Sequence, residues 1–116
     1  MKKVYDNERK LSSIVNRKKA LVFIMKYKNQ VLTCETKKFT GVRTIAKIKS
    51  PNNAEVFIEF EVIQGRGKLI FIKDKKVYPL IEGNYKNKIL FPKEAGLFRL
   101  RIVGDNLESK LKIYKQ

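Results

Sequence analysis

Alternation of apolar and polar residues dominates the second half of the chain. From Glu55 to Ile63, Val56, Ile58, Phe60 and Val62 alternate with Glu55, Glu59 and Glu61. This is the two-residue period of a strand with one buried face. Phe57 falls on the acidic side. Lys68 to Lys73 has little polar face and reads as a central strand. The stretch Gly96 to Tyr114 reads as two strands joined by a tight turn. Phe98, Leu100 and Ile102 point to a core while Arg99 and Arg101 point to water. After the turn, Leu107, Leu111 and Ile113 alternate with Glu108, Lys110 and Lys112. Glycine at the first central position suits a type II′ turn at Gly104-Asp105. That register sets Ile102 opposite Leu107 and Arg101 opposite Glu108. A four-residue loop would instead set Arg101 against Lys110 and Arg99 against Lys112, and like charges directly opposite are unfavourable. The short turn is therefore the expected one, and its hairpin has a cationic outer face.

The first half is less regular. Residues 1–19 are polar and basic. Asp6 or Asn7 suits the cap of a short helix with Leu11, Ile14 and Val15 on one side, and a loose basic tail is the alternative. Ala20 to Met25 is an apolar run far too short to span a bilayer. Leu21–Tyr27 reads as a buried strand, Lys28-Asn29-Gln30 as a turn and Val31–Glu35 as the returning strand. Cys34 is then a small hydrophobic strand residue. Thr36-Lys37-Lys38 reads as a linker, and Phe39 to Lys49 alternates loosely. Ser50-Pro51-Asn52-Asn53, Gln64-Gly65-Arg66-Gly67, Asp74-Lys75-Lys76 and Glu82-Gly83-Asn84 carry turn chemistry. Val77–Ile81 and Lys88–Phe91 flank the last of these, with Pro79 expected at an edge or bend. Turns every eight to twelve residues predict one all-β domain over residues 20–116: a single antiparallel β-sandwich, immunoglobulin-like or jelly-roll. Its expected core centres on Val56, Ile58, Phe60, Leu69, Phe71, Phe98, Leu100, Ile102, Leu111 and Ile113.

Charge changes this picture more than composition does. The net charge is +16, from 27 basic and 11 acidic residues. Such a surplus favours an anionic partner: an envelope polymer, an acidic protein or nucleic acid. Residues 1–50 hold 14 basic and 3 acidic side chains, so the surplus is weighted toward the N-terminal half. The candidate anion-binding residues are Arg17, Lys18, Lys19, Lys37, Lys38, Arg99, Lys110 and Lys112. A solvated face is the competing reading of each run taken alone.

Candidate chemistry is sparse. The chain has no histidine, which removes the commonest general base and metal ligand, and Cys34 is its only cysteine. Gly65-Arg66-Gly67 lacks the further residues of a P-loop or a dinucleotide fingerprint. Glu59 and Glu61 share a strand face. They have no convergent partner in the sequence and are expected to neutralise basic neighbours rather than act as a catalytic pair. No catalytic residue, cofactor or metal is expected. Tyr27, Phe57, Tyr78 and Tyr85 are the aromatics available for stacking on bases, although strand aromatics more often belong to the core.

One resemblance adds to this. Asn53-Ala54-Glu55-Val56-Phe57-Ile58-Glu59-Phe60-Glu61-Val62 is followed by Gly65-Arg66-Gly67-Lys68-Leu69-Ile70-Phe71-Ile72. Next come Lys93, the glycine-bounded strand Gly96-Leu97-Phe98-Arg99-Leu100-Arg101-Ile102-Val103-Gly104, and Lys110-Leu111-Lys112-Ile113. From about Phe39 to Tyr114 the chain resembles small, often uncharacterised β-sandwich proteins of low-GC Gram-positive bacteria and their mobile elements. Many of those are lipoprotein-like or secreted. The resemblance implies an immunoglobulin-like or jelly-roll sandwich and carries no catalytic or binding residues. This chain departs from the secreted members: Lys26 and Lys28 interrupt the apolar run, and Thr33 stands where a lipobox has a small residue before Cys34. The expected location is cytoplasmic by default, with envelope association open. The expected function is a non-enzymatic binding module with a basic surface, with association to the cell envelope left open. The alternative is a cytoplasmic nucleic-acid-binding protein of a mobile element.

Overall fold

The computed structural model describes residues 17–50, 56–89 and 96–115. The helix considered for the first residues lies outside them. Seven strands occur: β1 (Arg17–Lys19), β2 (Val22–Lys28), β3 (Val31–Ser50), β4 (Val56–Lys73), β5 (Lys76–Glu82), β6 (Tyr85–Lys88) and β7 (Gly96–Lys115). All pair antiparallel in one sheet with the order β1-β3-β7-β4-β5, while β2 pairs β3 and β6 pairs β4. The all-β antiparallel class is as expected. The basic run Arg17–Lys19, assigned above to a tail or helix, is a strand on the edge of this sheet.

Three strands are far longer than expected. A straight strand of 20 residues would run about 66 Å, yet the longest dimension of the molecule is 37 Å. The long strands must therefore bend. The bends fall at register shifts: Thr36 to Gly41 in β3 and Val62 to Arg66 in β4. In β7 the matching position is marked by Asn106 at φ 51°. They line up across the sheet, because Gly41, Gly104 and Gly67 are register partners. One sheet is thus creased into two layers and remains unclosed. The first layer runs β2, β3 (31–36), β7 (109–114), β4 (56–62), β6. The second runs β1, β3 (40–50), β7 (96–104), β4 (67–73), β5.

This overturns the hairpin expected at Gly104-Asp105. Gly104 and Asp105 lie inside continuous β7, and Gly65-Arg66-Gly67 lies inside β4. The expected linker Thr36-Lys37-Lys38 lies inside β3, with Lys38 at φ 50°. A bulge adds one residue and re-aims the side chains, so it inverts the apolar phase just as a two-residue turn does. In β7 the inward set passes from Phe98, Leu100 and Ile102 to Leu107, Ser109 and Leu111 without a reversal of the chain. Arg101 consequently faces Thr44 and Ile70 rather than Glu108, which pairs with Gln64. The crease is tight. A Cβ on Gly104 would come within 2.7 Å of the Phe39 ring and 2.9 Å of Leu107. Gly65 has φ +79°, and a Cβ there would land on the Asn106 carbonyl. Arg66 bridges Asp105 at 3.0 Å, and the Asn106 amide donates to Thr40 Oγ1.

The main core lies between the layers. It contains Leu32, Cys34, Ile58 and Phe60 from the first and Ile45, Leu69, Phe71, Phe98, Leu100 and Ile102 from the second, with Phe39 and Leu107 at the crease. Nine of the ten expected core residues are buried, and Ile113 is partly so. Thr36 and Ser109 are buried with them, their hydroxyls 2.8 Å apart, and Thr36 also donates to the Leu107 carbonyl. Cross-strand partners therefore satisfy these two buried hydroxyls.

The turns expected at Lys28-Asn29-Gln30 and Asp74-Lys75-Lys76 occur as two-residue reversals, Asn29-Gln30 and Asp74-Lys75, with positive φ at all four residues, as a type I′ turn requires. Pro79 sits on edge strand β5 beside a register shift, where its missing N–H removes no inner ladder bond. Near the last expected strand, β6 covers Tyr85–Lys88, and Leu90 and Phe91 of the stretch Lys88–Phe91 lie outside the described residues. The apolar run at 21–27 was expected to be buried. From Val22 on it forms edge strand β2 instead, paired among the described residues with β3 alone, and Leu21, Ile24, Met25 and Tyr27 are exposed.

Candidate functional site

The outer face of the first layer is an ordered array of charges. Strand register stacks it in three rows. The first is Ile24, Glu35, Lys110, Glu61. The second is Lys26, Thr33, Lys112, Glu59, Lys86. The third is Lys28, Val31, Tyr114, Phe57, Lys88. Six lysines thus surround three glutamates. The inward neighbours Cys34, Ile58, Phe60 and Leu111 are buried, and that fixes these side chains outward by strand alternation. The surface is concave: an open groove of about 900 Å³ runs over it, lined by Glu35, Glu59, Glu61, Lys86, Lys110 and Lys112. Asn84 fixes one end, its Oδ1 accepting from the Val62 amide at 2.7 Å.

The glutamates do what their spacing suggested. Glu59 lies opposite Lys112 on one side and Lys86 on the other, with Lys86 Nζ 3.8 Å from its carboxylate, and Glu61 lies opposite Lys110. Opposite charges facing each other across strands stabilise the pairing modestly. Partial burial raises the Tyr114 phenol above its ordinary range, and its hydrogen bond with Glu59 raises it further.

Two aromatics complete the third row. Phe57 and Tyr114 stack with centroids 5.6 Å apart and planes 12° apart. Lys88 Nζ lies 5.6 Å from the Phe57 centroid, and Lys112 Nζ 5.2 Å from that of Tyr114. Each ring therefore has one neighbouring ring and one cation. Phe57, out of phase in the sequence, is thereby half covered rather than buried in the core.

The expected basic residues separate. Lys37, Lys110 and Lys112 lie on or beside this face, because Lys37 continues the outward series Val31, Thr33, Glu35 along β3. Lys38 occupies the crease. The backbone of Arg17, Lys18 and Lys19 pairs with Val42, Gly41 and Thr40 just beyond it. Arg99 is elsewhere: it stands between Lys47 and Ile72 on the second layer. The sequence reading missed Lys26, Lys28, Lys86, Lys88 and Glu35. They stand on three separate strands, β2, β3 and β6, and only sheet register brings them to the same surface.

Little else here has the makings of chemistry. Cys34 is fully buried, and burial pushes its thiol up to about 12, so the nucleophilic thiolate is suppressed. Among the described residues no three His, Cys, Asp or Glu side chains converge as a metal site, and no helix is long and apolar enough to cross a membrane. Comparison with protein-family models, curated proteins and solved structures returns no match to this chain.

Proposed function

We propose that the chain is a non-enzymatic binding module that holds a flexible anionic polymer, such as an envelope polymer, along the outer face of the first layer. The observation that carries this reading is the three-row array of six lysines and three glutamates on one face, with an open groove over Glu35, Glu59, Glu61, Lys86, Lys110 and Lys112. Interspersed glutamates keep the lysines extended and spaced, which suits repeated contact with a polyanion better than capture of one small anion.

Single-stranded nucleic acid is the second reading, and the Phe57–Tyr114 pair is what favours it. Base stacking needs a free ring face. Here the rings face one another and two lysines, so a base would first have to displace a cation–π contact worth about 0.5–1 kcal/mol at an exposed site. The backbone charge is thus the feature the face is better built to hold.

The test is a salt titration of binding to polyphosphate and to single-stranded DNA of equal charge. Equal affinities with the same steep salt dependence support polymer-charge recognition. Markedly tighter DNA binding transfers the assignment to nucleic acid. No binding to either at low salt overturns both.

A further inference from the structure

On one side of the molecule the edges of the two layers do not meet. Met25 and Tyr27 of β2 lie opposite Cys34 and Leu32 and share their inward face. Cys34 and Leu32 are buried, yet Met25 is 39% exposed and Tyr27 73%. On the second layer, β1 pairs with residues 40–42 of β3. Beyond them, residues 43–50 pair, among the described residues, with β7 alone. The space between the layers therefore opens on this side. A cavity of about 270 Å³ begins there, with Tyr27, Gln30, Lys47 and Lys49 in its lining. It reaches inward between Leu32, Ile89 and Ile113 beside the first layer and Ala46, Ile48 and Leu100 of the second. All six of these belong to the main core or pack against it.

We propose that this cavity binds a linear monocarboxylate, with the alkyl chain held between the layers and the carboxylate at the lysine mouth. The site lies inside the creased sheet rather than on its outer face, so the inference does not depend on the polymer groove. Three observations carry it. The inner walls are aliphatic, and ligand sites are commonly apolar with a few polar groups that fix orientation. Of the two rings in the lining, Tyr114 is already stacked on Phe57 and Tyr27 stands at the exposed strand edge, so the walls suit an alkyl chain better than a planar ring. The size is right for such a chain. An apolar cavity of about 150 Å³ holds benzene, and on that scale about 270 Å³ takes roughly ten carbons. The charge is of one sign. Lys47 and Lys49 are exposed, the described lining residues include no acid, and the cross-strand partner of Lys47 is Arg99. A carboxylate at this mouth meets cations alone, whereas the outer groove intersperses its lysines with glutamates.

The experiment titrates the full chain with hexanoate, octanoate and decanoate, each below its micellar concentration, and follows the methyl resonances. Decanoate should shift the signals of Ala46, Leu100 and Ile113, while the exposed Ile24 and Ile63 stay in place. Each two-carbon extension should tighten binding by about tenfold, as burial of two methylenes does. Lys47→Gln with Lys49→Gln should weaken decanoate by about fivefold, since each exposed ion pair is worth little. Hexanoate bound as tightly as decanoate would report ion pairing at surface lysines and overturns the proposal. Equal affinity for decyltrimethylammonium, or an unchanged affinity in the double lysine variant, overturns it as well. So does millimolar decanoate that leaves Ala46, Leu100 and Ile113 unshifted.

Discussion

Ile24 and Ile70 are the same residue on the outward faces of the same sheet. Ile24 stands at the edge of the first layer, 47% exposed among lysines and glutamates, whereas Ile70 stands in the second layer at 1%. Both obey strand alternation. The comparison teaches that alternation says which side of a strand a residue takes, while the composition of that side says what medium it meets. The first layer's outward rows contain nine charged residues. The second layer's centre carries valine and isoleucine around one arginine. Desolvation dominates there: it lowers the Arg101 pKa, and the neighbouring charge of Arg99 lowers it further. Thr44 Oγ1 accepts from Arg101 Nε at 2.9 Å.

The contrast can be broken most directly by truncating both isoleucines. Ile70→Ala should cost about 2–4 kcal/mol in urea unfolding, in the range of buried large-to-small changes. Ile24→Ala should stay within about 0.5 kcal/mol. Equal costs would erase the distinction between the faces. Next in size is the crease that separates the layers. Gly104→Ala forces a methyl against Phe39 and Leu107 and should cost about 1–3 kcal/mol. An unchanged denaturation midpoint would show that the crease gives way.

A third test probes the space between the layers through pH. The Cys34 thiol is raised in the folded state from 9.0 to about 12. The unfolded chain therefore loses this proton first. Its contribution to stability is whole below pH 9 and drains away as pH rises toward 12, with a slope approaching about 1.4 kcal/mol per pH unit. Cys34→Ala should flatten that part of the profile relative to the unmodified protein, and parallel profiles would refute the effect. The smallest effect on folding is expected on the outer face of the first layer. Lys110→Gln with Lys112→Gln should move the urea midpoint little, yet lower the salt slope of polyphosphate binding by about 2. An unaltered slope would place the binding surface elsewhere.

Much of this was legible in the residues. The core was, because Val56, Ile58 and Phe60, and likewise Phe98, Leu100 and Ile102, announce their side by period alone. The pairing of Glu59 and Glu61 with lysines was foreseeable from charge balance. The path of the chain was not. A phase inversion at Gly104-Asp105-Asn106 marks either a hairpin or a bulged bend, and local chemistry is the same for both. What decides is that β3 and β4 bend at the same row, a fact held by residues far away in sequence. The lack of a polar face in Lys68 to Lys73 did signal a central strand, and that part of β4 lies between β7 and β5. The outward charge array was the least legible feature, since its nine charges come from five strands and no local window contains them.

The glycine crease has a kinetic consequence. β3, β4 and β7 each belong to both layers, so neither layer can melt without tearing strands that run through the other. All probes should therefore report one unfolding transition. Nor can the crease form early. Its contacts join residues as distant as Thr36 and Leu107, 71 positions apart, and such closures are slow to form. The three glycines in register mark a place that the chain reaches late and, once there, cannot leave in part.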